Sequence, residues 1–252
     1  MSTSEFTIAP QFCGPPQSSN GGYFCGRIAE HFNHPIAVRL KAPPPLEAKL
    51  QLEHKGDTTL ITDGQNEIGV ALIADTKPEP SPFIPLPQVR EISEQGRHDA
   101  AVNHPFPTCF VCGPNRDKQD GMRIFTGPNS DETLYAAHWY ADEAWSSDGK
   151  TIDERYIWSA MDCPSSGPAF ATVLDPKSTK AYVLGTLEVH IEKAVPAGDD
   201  YIITCSPDED TGRLYKTRVS LYDAQGQHYA SGRAVWVQVP RSLFHGASKE
   251  SQ

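Results

Sequence analysis

No run of residues in this 252-residue chain approaches the roughly 20 apolar positions a helix needs to span a bilayer. Lysine and arginine do not cluster either: 22 of them stand against 32 aspartates and glutamates, for a formal net charge of -10. A surface with that balance repels polyanions, so neither nucleic acid nor an anionic membrane is expected as a partner. The opening residues, MSTSEFTIAP, lack the basic segment and apolar core of a secretory leader. A cytoplasmic, reducing location is the expectation, and the six cysteines are read as thiols rather than disulfide partners. There is no P-loop and no Gly-x-Gly-x-x-Gly after a strand. Cys109 and Cys112, in CFVC, have metal-ligand spacing and His104 is nearby. A zinc site needs four ligands, and no second Cys-x-x-Cys follows, so no metal and no cofactor are expected.

What is present is an ordinary globular composition, 38% hydrophobic and 21% charged, enough for one large domain or two modest ones. The order of elements favours two. In the first half a short helical stretch, SSNGGYFCGRIAEHF, precedes strand-like segments: Leu46, Ala48, Leu50 and Leu52 alternate with polar residues, and TDGQNE reads as a hairpin turn. Proline-dense TKPEPSPFIPLPQ is incompatible with a helix or a central strand and reads as an extended linker, followed by a less ordered segment. In the second half IDERYIWSAMDCPSSGPAFATVL is helical, YVLGTLEVHIEKAVPAGDDYIITCS gives two strands with Val183, Leu187, Val189 and Ile191 on one face, and a long hairpin turns at DAQGQ. Each half is one helix followed by an antiparallel meander, the pattern of a duplicated unit. The expected division is a first unit over 1–77, a linker over 78–104, a second unit over 105–240 and a tail over 241–252.

Both helices carry an oddity. Phe24, Cys25, Ile28, Ala29 and Phe32 mark a buried helical stripe, and Ser18, Ser19 and Asn20 are N-cap candidates. Gly21 and Gly22 then fall in the first turn, where backbone N–H groups have no intrahelical partner and the helix dipole is positive. Two readings remain open: an oxyanion or carbonyl site, or relief of crowding where helix meets sheet. In the second helix Asp162 sits among Trp158, Ala160, Met161 and Cys163, just before Pro164. A carboxylate there either serves a partner or a purpose, or it bonds the broken backbone around Pro164 and Ser165. At about 1.5 Å rise per residue it lies roughly 13 Å from its own helix start. If the units pair antiparallel, it faces the other helix start, Gly21-Gly22. The reverse pairing offers only Ala29 and Glu154, so one working site and one lost site are expected.

A hydrophobic helix wrapped by an antiparallel sheet, used twice, resembles the hotdog fold in its double form, an α+β architecture. NGGYFCGRIAEHF looks like the helix of acyl-CoA thioesterases with paired glycines, YIWSAMDCPSSGPAF like the helix that carries their aspartate, and CFVCGPNRDKQDGMRIF like the opening strand of PaaI-like thioesterases. That resemblance implies hydrolysis of acyl-CoA or a related acyl thioester. Asp162 would be general base or nucleophile, Gly21 and Gly22 would polarise the thioester carbonyl, Asn20 would orient water or bind the carbonyl, and Ser166 would position the carboxylate. It also implies a homo-oligomer. The competing readings are a non-catalytic acyl-ligand binding protein and an enoyl hydratase or dehydratase. The Asp/His motif usual in hotdog hydratases is not found. Cys163 has no evident histidine base and reads as a small buried filler.

Overall fold

The structure is a computed structural model that describes residues 4–169 and 177–244. The end of the second predicted helical stretch and most of the predicted tail therefore lie outside the described residues. The α-helices lying wholly within them include α1 (Gly21–Ala29), α2 (Leu86–Asn103) and α3 (Glu154–Asp162). The strands are β1 (Ser4–Phe6), β2 (Ile36–Leu40), β3 (Leu50–Lys55), β4 (Thr58–Thr62), β5 (Glu67–Ile73), β6 (Thr126–Pro128), β7 (Tyr135–Tyr140), β8 (Lys180–Ile191), β9 (Asp200–Asp210), β10 (Leu214–Asp223) and β11 (His228–Pro240).

All eleven strands form one antiparallel sheet in the order β1-β3-β4-β5-β2-β8-β11-β10-β9-β7-β6. Outward from the β2–β8 seam, the four strands after α1 and the four after α3 follow the same sequence of neighbours. The strand preceding each helix lies beyond them. The duplication is thus visible in the topology. The two units join where Ala37, Val38 and Arg39 of β2 pair with Glu188, Leu187 and Thr186 of β8. This is a double hotdog, an α+β fold.

The sheet wraps two helices that pack against each other as well as against it. Phe24, Cys25 and Ile28 of α1 and Ile157, Trp158 and Met161 of α3 are all buried in one core. Glycine sets the approach of the helices. A Cβ on Gly26 would stand 2.6 Å from Arg155 Cα, and one on Gly22 2.6 Å from the Trp158 carbonyl oxygen and 2.4 Å from Asp162 Cβ. Gly22 meets the end of α3 and Gly26 meets its beginning, so the helices run antiparallel. The crowding that these glycines relieve is helix against helix.

Three sequence expectations change here. The segment after the prolines is not irregular: α2 occupies Leu86–Asn103, the last part of the predicted linker. Its buried positions, Val89, Ile92, Gly96 and Ala100, keep helical spacing, and they cover the outer face of β6 and β7. Strand alternation explains the two layers. Ala136 and Ile202 join a small cluster with Val89 and Ile92, while Ala137 and Ile203 point into the main core. Pro78, Pro80 and Pro82 lie outside regular structure, but Pro85 is the N-cap of α2 and Pro87 stands in its first turn, so the helix begins within the proline stretch. Ser81 is bound through its N–H to Ser220 Oγ at 2.8 Å and through its carbonyl to the Tyr222 hydroxyl at 2.6 Å.

The second change concerns β8. Val183 does not share a face with Leu187 and Val189. Thr186 pairs with Val235 but Leu184 with Trp236, so Gly185 is an extra residue and the strand bulges. Before the bulge the large buried apolar side chains are Tyr182 and Leu184; after it they are Leu187 and Val189. Cys109 and Cys112 lie on a looped segment before β6, not on an opening strand.

Candidate active site

Asn20 is the N-cap of α1. Its Oδ1 accepts the Tyr23 N–H at 2.9 Å, the ordinary capping bond, and its own N–H donates to the Phe12 carbonyl at 2.8 Å. The cap leaves the amide Nδ2 aimed across the helix interface. There it donates to Asp162 Oδ2 at 2.8 Å. The same oxygen accepts the Gly22 N–H, also at 2.8 Å, from 140 residues away in sequence. Two donors of the first unit thus hold the carboxylate of the second. The short reach exists because Gly22 has no side chain between the helices.

Asp162 is 2% exposed, and its other oxygen, Oδ1, has no hydrogen-bond partner among the described residues. Burial pushes the carboxyl up to about 7; the Gly22 N–H and the Asn20 amide oppose that rise, and the neighbouring Cys109 adds to it. The group lies at the positive end of α1, where the dipole favours the charged form.

Asp162 forms part of the wall of a cavity of about 580 Å³, a size usual for small-molecule sites. Asn20 and Gly21 line the same wall, and Leu184, Phe106 and Trp236 make much of the rest apolar. A Cβ on Gly21 would meet Leu184 Cδ2 at 2.7 Å. Its N–H, at the first position of α1, has no intrahelical acceptor. Gly22 differs from the sequence expectation: its N–H is taken by the carboxylate and is not presented to a ligand.

Ser166 also lines the cavity but does not hold the carboxylate; its hydroxyl donates to the Cys163 carbonyl at 2.6 Å. Ser165 donates to the Asp162 main-chain carbonyl at 2.6 Å and accepts from Trp236 Nε1 at 3.0 Å. These hydroxyls serve carbonyls near Pro164, which cannot donate and interrupts the α-helical ladder. The backbone break is therefore managed by serines, and the Asp162 side chain is left to face α1. On the opposite side of the pseudo-symmetry, the place of Asp162 falls to Ala29 and that of Gly22 to Arg155. Arg155 turns outward to Glu30 at 2.9 Å.

Three thiols meet beside this carboxylate. The sulfurs of Cys109, Cys112 and Cys163 all lie within 4.8 Å of one another, and all three residues line the cavity. Cys109 Sγ is 3.8 Å from Cys163 Sγ. Hydrogen bonds from Cys112 and Cys163 hold the Cys109 thiol well below its ordinary value, and the same sharing raises both neighbours. His104 lines the cavity as well; burial lowers its imidazole to about 4. The sequence reading weighed Cys109 and Cys112 as a pair and Cys163 alone. No local signal joins them, because the third thiol arrives only when α3 docks.

No protein-family model matches the chain, and no curated protein matches it in sequence. Solved structures match its fold along nearly its whole length. The tesB protein of Mycobacterium avium subsp. paratuberculosis has a TM-score of 0.60 at 11% identity, with 94% of this chain and 93% of that one covered. Acyl-CoA thioesterase II of Mycobacterium marinum has a TM-score of 0.57 at 9% identity, with the same coverage of 94% and 93%. The dehydratase domain of a mycocerosic-acid-synthase-like polyketide synthase gives 0.62 at 9% identity, covering 94% and 91%. At such identities the likeness is one of fold, and the fold is the double hotdog.

Proposed function

We propose that the protein is a thioesterase hydrolysing acyl-CoA or a related acyl thioester. One observation carries the reading: Asp162, buried at a cavity wall, has one carboxylate oxygen anchored by two N–H donors of the other unit and the other without a hydrogen-bond partner among the described residues. In this mechanism the thioester lies in the apolar cavity with its carbonyl oxygen at the Gly21 N–H. The N-terminus of α1 stabilises the negative charge that develops on that oxygen. Asp162 takes the proton of an attacking water and passes it to the departing thiolate, leaving free acid and thiol; if it attacks the carbonyl itself, the mixed anhydride formed as the thiolate leaves is then hydrolysed by water. Asn20 acts by holding the carboxylate, and Ser166 contributes only to the wall. The thioesterase neighbours agree with this reading at the level of fold.

The test is thiol release from a panel of acyl-CoAs by the wild-type protein and by Asp162→Asn. Release is expected from the wild type, with a fall of at least roughly 100-fold in the variant, the usual cost of a lost base. Undiminished turnover by Asp162→Asn would remove the residue from the mechanism. Tight binding without release would instead identify an acyl-ligand binding protein. A hydratase or dehydratase reading has one observation on its side, His104 in the same cavity as Asp162. A change in enoyl absorbance without free thiol would support it. We also propose that chains associate further; a 27.6 kDa monomer by light scattering at micromolar concentration would count against this.

A further inference from the structure

We propose that Cys109, Cys112 and Cys163 form a three-thiolate site for a zinc-class divalent cation, opening onto the cavity beside Asp162. The first support is spacing. Two zinc–sulfur bonds of about 2.3 Å at a tetrahedral angle place their sulfurs about 3.8 Å apart. Cys109 and Cys163 have that separation, 3.8 Å, and the third sulfur lies within 4.8 Å of both.

The second support is the frame. Cys109 and Cys112 sit in a tight turn closed by the Gly113 N–H on the Cys109 carbonyl at 2.9 Å. A Cβ on Gly113 would stand 2.5 Å from that oxygen, so only glycine allows the turn without movement. The Phe110 N–H, bound to the Cys13 carbonyl at 2.7 Å, ties the turn to the first unit. Cys163 comes from the C-terminal end of α3. The thiols are thus held by elements that are fixed independently of one another.

The third support is the surroundings of the sulfurs. The Asn20 amide Nδ2 is 3.9 Å from Cys109 Sγ and 3.7 Å from Cys163 Sγ, within hydrogen-bond reach of both sulfurs. Such N–H donors favour thiolate over thiol and orient the ligands of a metal. Thiolate ligands select zinc over the hard oxygen-seeking cations. Among the described residues three ligands lie within reach, which leaves the fourth tetrahedral position to water or an exogenous thiolate from the cavity, the open arrangement of reactive zinc sites. Binding replaces thiol protons with the cation and releases them to solvent.

The proposal is independent of the thioesterase reading, and its test reads metal rather than turnover. Reduced, chelator-treated full-length protein is titrated with Co²⁺ and followed by its sulfur-to-cobalt charge-transfer absorption. One equivalent is expected to bind with the intensity of several thiolates, and Zn²⁺ should displace it. Cys163→Ser and Cys112→Ser should each weaken binding at least roughly 100-fold, beyond what loss of an outer-shell partner costs. Cys205→Ser, which keeps a donor for the Ser165 carbonyl, should bind as the wild type does. Absence of the charge-transfer band in the folded wild-type protein would overturn the site. So would equal binding by Cys163→Ser, or an oxidised Cys109–Cys163 disulfide in a protein that takes up no cobalt when reduced.

Discussion

Asn20 joins two tasks in one side chain, and substitution can separate them. Its Oδ1 caps α1 while its Nδ2 holds Asp162. Serine at this position still caps, and capping serines and asparagines differ little in stability. Asn20→Ser is therefore expected to keep the cap and to lose about 1–3 kcal/mol in urea, the cost of one buried hydrogen bond to Asp162. It should also lose much of its turnover, because no donor replaces the amide. Wild-type turnover by Asn20→Ser would mean that the amide does nothing beyond capping. The paired glycines are separable in the same way. A Cβ at Gly21 has the Leu184 side chain as its nearest neighbour, whereas one at Gly22 meets the Trp158 carbonyl and the Asp162 side chain. Gly21→Val should fold yet lose turnover by about 100-fold, the scale of a misplaced reacting group. Circular dichroism with thiol release checks both halves of that statement.

At the scale of elements, the α1–α3 interface is limited by backbone contact. Alanine is the better helix former by about 1 kcal/mol, so Gly26→Ala would stabilise an isolated α1. Here the added methyl would lie 2.6 Å from Arg155 Cα and 2.9 Å from its carbonyl oxygen, neither of which can swing aside. The net expectation is a loss of about 1–3 kcal/mol, typical of overpacking, measured by urea denaturation. A gain in stability would show that the helices can separate without cost. The same interface marks the limit of sequence reasoning. Helical spacing and the length of the second helix bring Asp162 to Gly21 and Gly22 only on the condition that the two units pair antiparallel. They could not show that the carboxylate itself takes the Gly22 N–H, since that depends on angstrom-level approach. α2 was hidden because prolines dominate its beginning, while its thin apolar stripe of Val89, Ile92 and Ala100 is diluted by charge. The β8 bulge was hidden because periodicity assumes an unbroken register, and Gly185 breaks it.

Across the whole molecule, duplication has not produced two independent bodies. Phe24 and Ile28 of the first unit and Trp158, Met161 and Leu187 of the second belong to one buried cluster. The sheet runs unbroken through the β2–β8 seam. The outer margins are β1 and β6, three residues each, too short to offer much edge to another sheet. If either unit unfolded alone, the partner would expose its side of the α1–α3 contact and the unpaired edge of the seam. It would also lose one wall of the cavity, including either Asp162 or the donors that hold it. Those penalties fall on any half-folded state, so the chain should unfold in a single calorimetric transition. For 252 residues the enthalpy should be about 180 kcal/mol near 60 °C, with calorimetric and van't Hoff values in agreement. Two resolved transitions of roughly half that size would mean that each hotdog carries a core of its own. The site at their junction would then be an addition to two stable units rather than part of what holds them together.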